Sequence, residues 1–149
     1  MVKAKNIRVI IGDSKLKRTF KKELEGETKL QLFGKKIGEK FRGELFNLTG
    51  YEFEITGGAD NSGFPMSKSV EGVGRTKLLL RRGFGFKASK KFSGIRMKKG
   101  IAGNTINERT TQVNSKITKW GSIDLMEHFG VKPKEEVKAE DTKEVIATN

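Results

Sequence analysis

Residues 51–66 read YEFEITGGADNSGFPM. Tyr51, Phe53 and Ile55 alternate with Glu52, Glu54 and Thr56, the period-two pattern of a strand that buries one face. Gly57, Gly58, Asp60, Gly63 and Pro65 then crowd together. Glycine reaches left-handed backbone, proline fixes φ, and aspartate bonds its own turn. We read these five residues as a rigid structural turn after the strand, one that launches the following chain in a fixed direction.

The same alternation recurs on both sides. Ile7, Val9 and Ile11 share a strand face that closes at Gly12-Asp13, and GDSK turns the chain into a second strand within Leu16–Leu24. LQLFGKKIGEKF fits one helical turn ending near Gly34 and a turn at Gly38. TKLLLRR carries three consecutive leucines, as a strand buried on both sides would, and QVNSKIT aligns Val113, Ser115 and Ile117. Near the end, SIDLMEHF reads as a helix, with Ser122 as N-cap, Leu125 and Phe129 on one face and Gly130 as the stop. Many short strands separated by glycine turns predict a mainly β fold, a small closed β-barrel with one short C-terminal helix. Closure removes exposed strand edges. The barrel domain is expected over 1–130. Residues 131–149, where four lysines meet five acidic residues without periodicity, read as a charged, disordered tail.

Charge defines the function class. The chain has 31 Lys+Arg against 18 Asp+Glu, a net of +13, and such a surface calls for a polyanion. The excess clusters between 68 and 99, where Lys68, Arg75, Lys77, Arg81, Arg82, Lys87, Lys90, Lys91, Arg96, Lys98 and Lys99 face a single acid, Glu71. A surface tuned only for solubility mixes its signs. These cations are the candidate phosphate contacts. Phe84, Phe86 and Phe92 are interleaved with them, and two readings stay open: rings stacked on unpaired bases, or rings filling the barrel.

No motif in the sequence indicates catalytic chemistry. Gly58 and Gly63 have P-loop spacing, but Phe64-Pro65 stands where Lys and Ser/Thr belong. Gly72-Val-Gly74 and Gly83-Phe-Gly85 lack the third glycine of a dinucleotide fingerprint. Asp60-Asn61-Ser62 has no second carboxylate at metal-ligand spacing, and such side chains bond their own backbone in turns. His128 is the only histidine and sits in the last turn of the expected helix, where a cation suits the dipole. No cysteine occurs, which removes disulfides, thiolate metal sites and thiol nucleophiles. Neither a signal peptide nor an 18-residue apolar run is seen. The expectation is a cytosolic, soluble protein without metal, cofactor, membrane or small-molecule substrate. An RNA-processing or nucleotide-dependent enzyme using the Gly-rich loop, and a DNA-compacting chromatin protein, are the rival classes.

GGADNSGFPM resembles the Gly-Gly-x-Asp-x-x-Gly-Phe-Pro-Met signature of the archaeal–eukaryotic (e-type) small-subunit ribosomal protein six family. LTGYEFEITGG before it, VGRTKLLLRRG after it, and GNTINERTTQVNSKI, IRVIIGD and FGKKIGEKFRGEL extend the resemblance over about residues 5–120. The resemblance implies a compact β-barrel on small-subunit ribosomal RNA, beside neighbouring ribosomal proteins. Its role would be structural and non-catalytic, in subunit assembly and translation on the cytoplasmic ribosome. Eukaryotic members continue into a long basic helix with kinase-targeted serines. Here the chain turns acidic towards Asn149, so it is similar to the shorter archaeal type, and regulation by phosphorylation does not carry over.

Overall fold

A computed structural model of the chain describes residues 6–87 and 94–130. The expected tail at 131–149 and the candidate residues Lys90, Lys91 and Phe92 lie outside the described residues.

Strand β1 (Ile7–Asp13) turns through 14–17 into β2 (Arg18–Leu24), and the two pair antiparallel with Ile11 opposite Phe20. On its other side β1 runs parallel to β7 (Thr110–Lys119), Val9 opposite Val113. Antiparallel to β7 lies β4 (Glu52–Asp60), with the three-residue β3 (Lys40–Arg42) along its outer edge. The sheet order is β2-β1-β7-β4-β3. Strands β5 (Arg75–Arg81) and β6 (Arg96–Ala102) pair with each other as an antiparallel ribbon and with no strand of the five-stranded sheet, while Ala102 at the end of β6 also bridges to Met66.

The alternating segments form strands because one face of each meets the core. Ile7, Val9, Ile11, Phe53, Ile55, Val113 and Ile117 are all buried, as their spacing predicts. Phe53 is the centre of an aromatic cluster, with ring centroids 5.3 Å from Phe41, 5.7 Å from Phe46 and 6.1 Å from Tyr51. The Tyr51 hydroxyl donates to the Ile123 carbonyl at 2.5 Å, which ties the C-terminal segment to this cluster.

Several expectations are corrected. The sheets do not close into a barrel: β2 and β3 are free edges, and β5 and β6 stand apart from the five-stranded sheet. Charge is the physical reason. Leu79 is not buried on two sides but 58% exposed, and its strand face also carries Arg75, Lys77 and Arg81. The opposite face is no cleaner, with Thr76 and Lys99 beside Leu78 and Leu80. Neither face of the ribbon could therefore line a dry barrel without burying an unpaired cation, at a cost of several kcal/mol each. Lysines 21 and 22 on β2 protect the open edge against pairing with another chain.

Gly57 and Gly58 belong to β4 rather than to a turn, and the strand carries register shifts on either side of them. A Cβ on Gly58 would stand 2.4 Å from the Gln112 carbonyl oxygen, so the glycine is there to let β7 approach. The turn proper is shorter, with Gly63 at φ +79°. In place of an α-helical turn, Gly26–Leu32 forms a 3-10 segment, and a second covers Gly43–Phe46. The C-terminal helix, α1, is only Leu125–His128. Asp124, not Ser122, occupies the N-cap position, and no side chain caps it. Phe129 just beyond it stacks on Phe20 at 5.0 Å.

Phe53→Ala removes the centre of the aromatic cluster. We expect a loss of about 3–5 kcal/mol in denaturant-unfolding free energy, the range for a buried phenylalanine. A loss below about 1 kcal/mol contradicts this account of the core.

Candidate nucleic-acid interface

The site begins at the end of β4. Asp60 is only 7% exposed, and its carboxylate accepts a hydrogen bond from Arg75 Nε at 2.5 Å and one from the Ser62 backbone N–H at 3.3 Å. The same guanidinium donates to Asn61 Oδ1 at 2.9 Å and to Ser62 Oγ at 3.0 Å. Its carbon also lies 5.0 Å from the centroid of the Phe64 ring. Phe64 in turn packs on Gly100 of β6, where a Cβ would stand 2.9 Å from the ring. Asp60, Arg75, Phe64 and Gly100 thus clamp both ribbon strands to the sheet. The hydrogen bond from Arg75 holds the Asp60 carboxyl below the usual range against the opposing effect of burial, and it raises the guanidinium in turn.

Beyond the clamp, register sorts the side chains. Directly opposed residues share a face. Arg75 faces Ala102, Lys77 faces Gly100, Leu79 faces Lys98, and Arg81 faces Arg96. One face therefore carries Arg75, Lys77, Arg81, Arg96 and Lys98 around Leu79. The other carries Thr76, Leu78, Leu80, Met97, Lys99 and the buried Ile101.

Arg81 opposite Arg96 is a like-charge pair, which destabilises an isolated ribbon. Among the described residues only Arg75 of the cationic face forms an ion pair. On the sheet the signs are matched instead: Arg8 with Glu23, Lys116 with Glu54, and Lys119 with Glu52. Lys119 also holds the Glu52 carboxyl below its usual range by hydrogen bonding. Glu52 and Glu54 are thereby accounted for as partners of lysines.

The candidate residues are dispersed accordingly. Lys77, Arg81, Arg96 and Lys98 come together on one face. Lys99 points to the other, with its Nζ 5.6 Å from the Phe86 ring. Arg75 is committed to Asp60. Arg82, Phe84 and Lys87 follow β5 in exposed positions, and Lys68 is exposed in the segment before it. Phe84 is 61% exposed and offers its ring to solvent. Phe86, at 8%, does not, so a base has no access to its face. His128 packs edge-to-face on Phe129 at 5.0 Å. No group of three or more His, Cys, Asp or Glu among the described residues could hold a metal ion, and no helix there is long and apolar enough to cross a membrane.

Two features escaped the sequence. The Asp60–Arg75 pair joins residues 15 apart with no local signal between them. The segregation of charge to one ribbon face depends on register, which the run of leucines conceals.

The family described as ribosomal protein S6e matches residues 7–130. A protein named small ribosomal subunit protein eS6 from Methanosphaera stadtmanae is 41% identical over 129 residues, 87% of this chain and 95% of its own length. Its namesake from Archaeoglobus fulgidus is 41% identical over 130 residues, 87% and 98% of the two chains. That from Methanocaldococcus jannaschii is 36% identical over 124 residues, 83% and 91%.

The clamp is testable through pH. With its folded pKa below the unfolded value of about 3.9, Asp60 contributes stability that is complete above that pH. The contribution falls away as acid takes the pH through the lower folded value. Asp60→Asn should cost about 1–2 kcal/mol at pH 7, trimmed because a third of the Arg75 side chain is in water. It should also flatten the acid limb of the melting-temperature profile. An unchanged profile contradicts the assignment.

Proposed function

The chain belongs to the ribosomal protein S6e family, and from that premise we propose that it is a structural constituent of the small ribosomal subunit on the cytoplasmic ribosome. It binds ribosomal RNA, lies beside other ribosomal proteins, and supports assembly and translation without catalysing a reaction. The cationic face of the β5–β6 ribbon is the principal contact, with Lys77, Arg81, Arg96 and Lys98 on phosphate oxygens. Arg82 and Lys87 extend the contact, and Phe84 stacks on an unpaired base. Lys68, Lys90 and Lys91 belong to the same basic stretch, and residues 1–130 act as the binding domain.

The observation that carries this reading is Arg81 opposed to Arg96, with neither in an ion pair among the described residues. An RNA backbone supplies what such a pair lacks, because each phosphate neutralised releases condensed counterions and relieves the repulsion. Arg75 plays a different part: its charge is spent on Asp60, so it aims the ribbon instead of gripping the ligand. The Gly-rich segment has no phosphate-cradling geometry, since Gly57 and Gly58 are strand residues. That leaves nothing to favour a nucleotide-dependent enzyme, and the relatives' names give no support to a chromatin protein.

The test is a salt titration of binding to small-subunit ribosomal RNA. Arg81→Gln with Arg96→Gln should lower the slope of log affinity against log salt by roughly 1.5–2 while the melting temperature holds or rises. Phe84→Ala should cost about 1–3 kcal/mol of affinity with little change of slope, as loss of a stacked base requires. Wild-type affinity and slope in the double variant would sink the assignment.

A further inference from the structure

The molecule has a second cationic pole. Residues 14–22, SKLKRTFKK, hold five basic residues and no acid. They form the β1–β2 turn and most of β2. Register puts the turn and Arg18–Phe20 at the far end of the sheet from the ribbon, with Lys21 and Lys22 partway back along β2: Asp60 pairs with Thr110 at the start of β7, whereas Gly12, opposite Thr19, pairs with Lys116. Six strand residues at 3.3 Å separate those levels, a spacing of about 20 Å before the ribbon's own length is added.

At this end Gly12, Asp13, Ser14, Lys17, Thr19 and Lys116 line a shallow cleft of about 600 Å³ together with Arg18 and Phe20. The acid in its wall is already engaged. Asp13 Oδ1 accepts the Lys15 backbone N–H at 2.7 Å and Trp120 Nε1 at 3.4 Å. Lys116 pairs with Glu54 at 3.1 Å, and Lys15 lies 4.0 Å over the Trp120 ring. Lys17 and Lys21 make no ion pair among the described residues. The floor is Gly12, which has no side chain to keep a sugar-phosphate chain from the strand. A Cβ there would meet only the Ser115 carbonyl oxygen, at an ordinary 3.5 Å.

We propose that this cleft is a second RNA-backbone site, so that the protein bridges two separate RNA segments, one at the ribbon and one at the β1–β2 turn. The inference rests on the RNA-binding reading above and adds a second, spatially distinct contact to it. Joining two modest contacts in one rigid body raises affinity through effective concentration and fixes the distance between the two RNA segments.

The chain lacks cysteine, so a hydroxyl-radical source can be tethered at one chosen position in the full-length protein bound to small-subunit ribosomal RNA. Ser14→Cys and Thr76→Cys, both exposed, should each cut the RNA, and in segments that do not overlap. Adding Lys17→Glu and Lys21→Glu should erase the cuts from position 14, leave those from position 76, and lower the salt slope by about two. Gly12→Val, which fills the floor, should weaken the same cuts without unfolding the protein.

Cuts from position 76 alone overturn this inference and leave the ribbon assignment standing. Absence of cuts from both positions overturns the RNA-binding reading itself. Saturable micromolar binding of inorganic phosphate, lost in the Lys17/Lys21 variant while RNA cleavage is unchanged, overturns the second-site inference alone, since the cleft is then a small-anion site.

Discussion

Asp60 and Arg75 hold the two parts of this protein in one orientation. The ribbon shares little hydrogen bonding with the sheet, and its direction is set where β4 ends. There a nearly buried carboxylate meets a guanidinium that also covers Phe64, and Phe64 closes on Gly100. Backbone bonds continue the attachment: Ala102 donates to Pro65 at 3.0 Å, Ser67 to Ala102 at 3.1 Å, and Asn104 to Val70 at 2.7 Å. Each residue of GGADNSGFPM that looked like a phosphate cradle has a place in this joint. Gly58 admits β7, Asp60 anchors Arg75, Gly63 turns the chain, Phe64 fills the seam, and Met66 is buried behind it.

Everything beyond the joint follows from where charge is allowed to go. On β1 and β7, Arg8, Lys116 and Lys119 sit beside acids, and the resulting pairs are exposed and individually weak. On the ribbon no acids are provided, and opposite arginines are held together by backbone pairing alone. A free protein gains nothing from that arrangement, whereas a ribonucleoprotein does. The same charge explains the open architecture, because both faces of the ribbon carry cations and neither can line a dry barrel.

Much of this was legible in the sequence, for identifiable reasons. IRVIIGD, YEFEIT and QVNSKIT obey a strict two-residue period, and each became a strand with the expected residues inward. The basic stretch called for a polyanion, and the GGADNSGFPM signature resembled the family to which the chain belongs. TKLLLRR misled because an unbroken leucine run looks the same whether two sides are buried or one side is shared with cations. Gly57 and Gly58 misled because glycine marks turns and close strand approaches alike. Phe86 and Phe84 look equivalent in sequence, yet one ring is covered and the other exposed. Only register and tertiary placement separate them.

The face of the ribbon, more than its composition, is what this account claims, and two adjacent lysines report on it. Lys98 shares the cationic face with Arg81 and Arg96, while Lys99 points to the other face beside Phe86. Acetylation rates, read by mass spectrometry with and without bound small-subunit ribosomal RNA, should show strong protection of Lys77 and Lys98 and little protection of Lys99. Equal protection of Lys98 and Lys99, or none at Lys77 and Lys98, would contradict it.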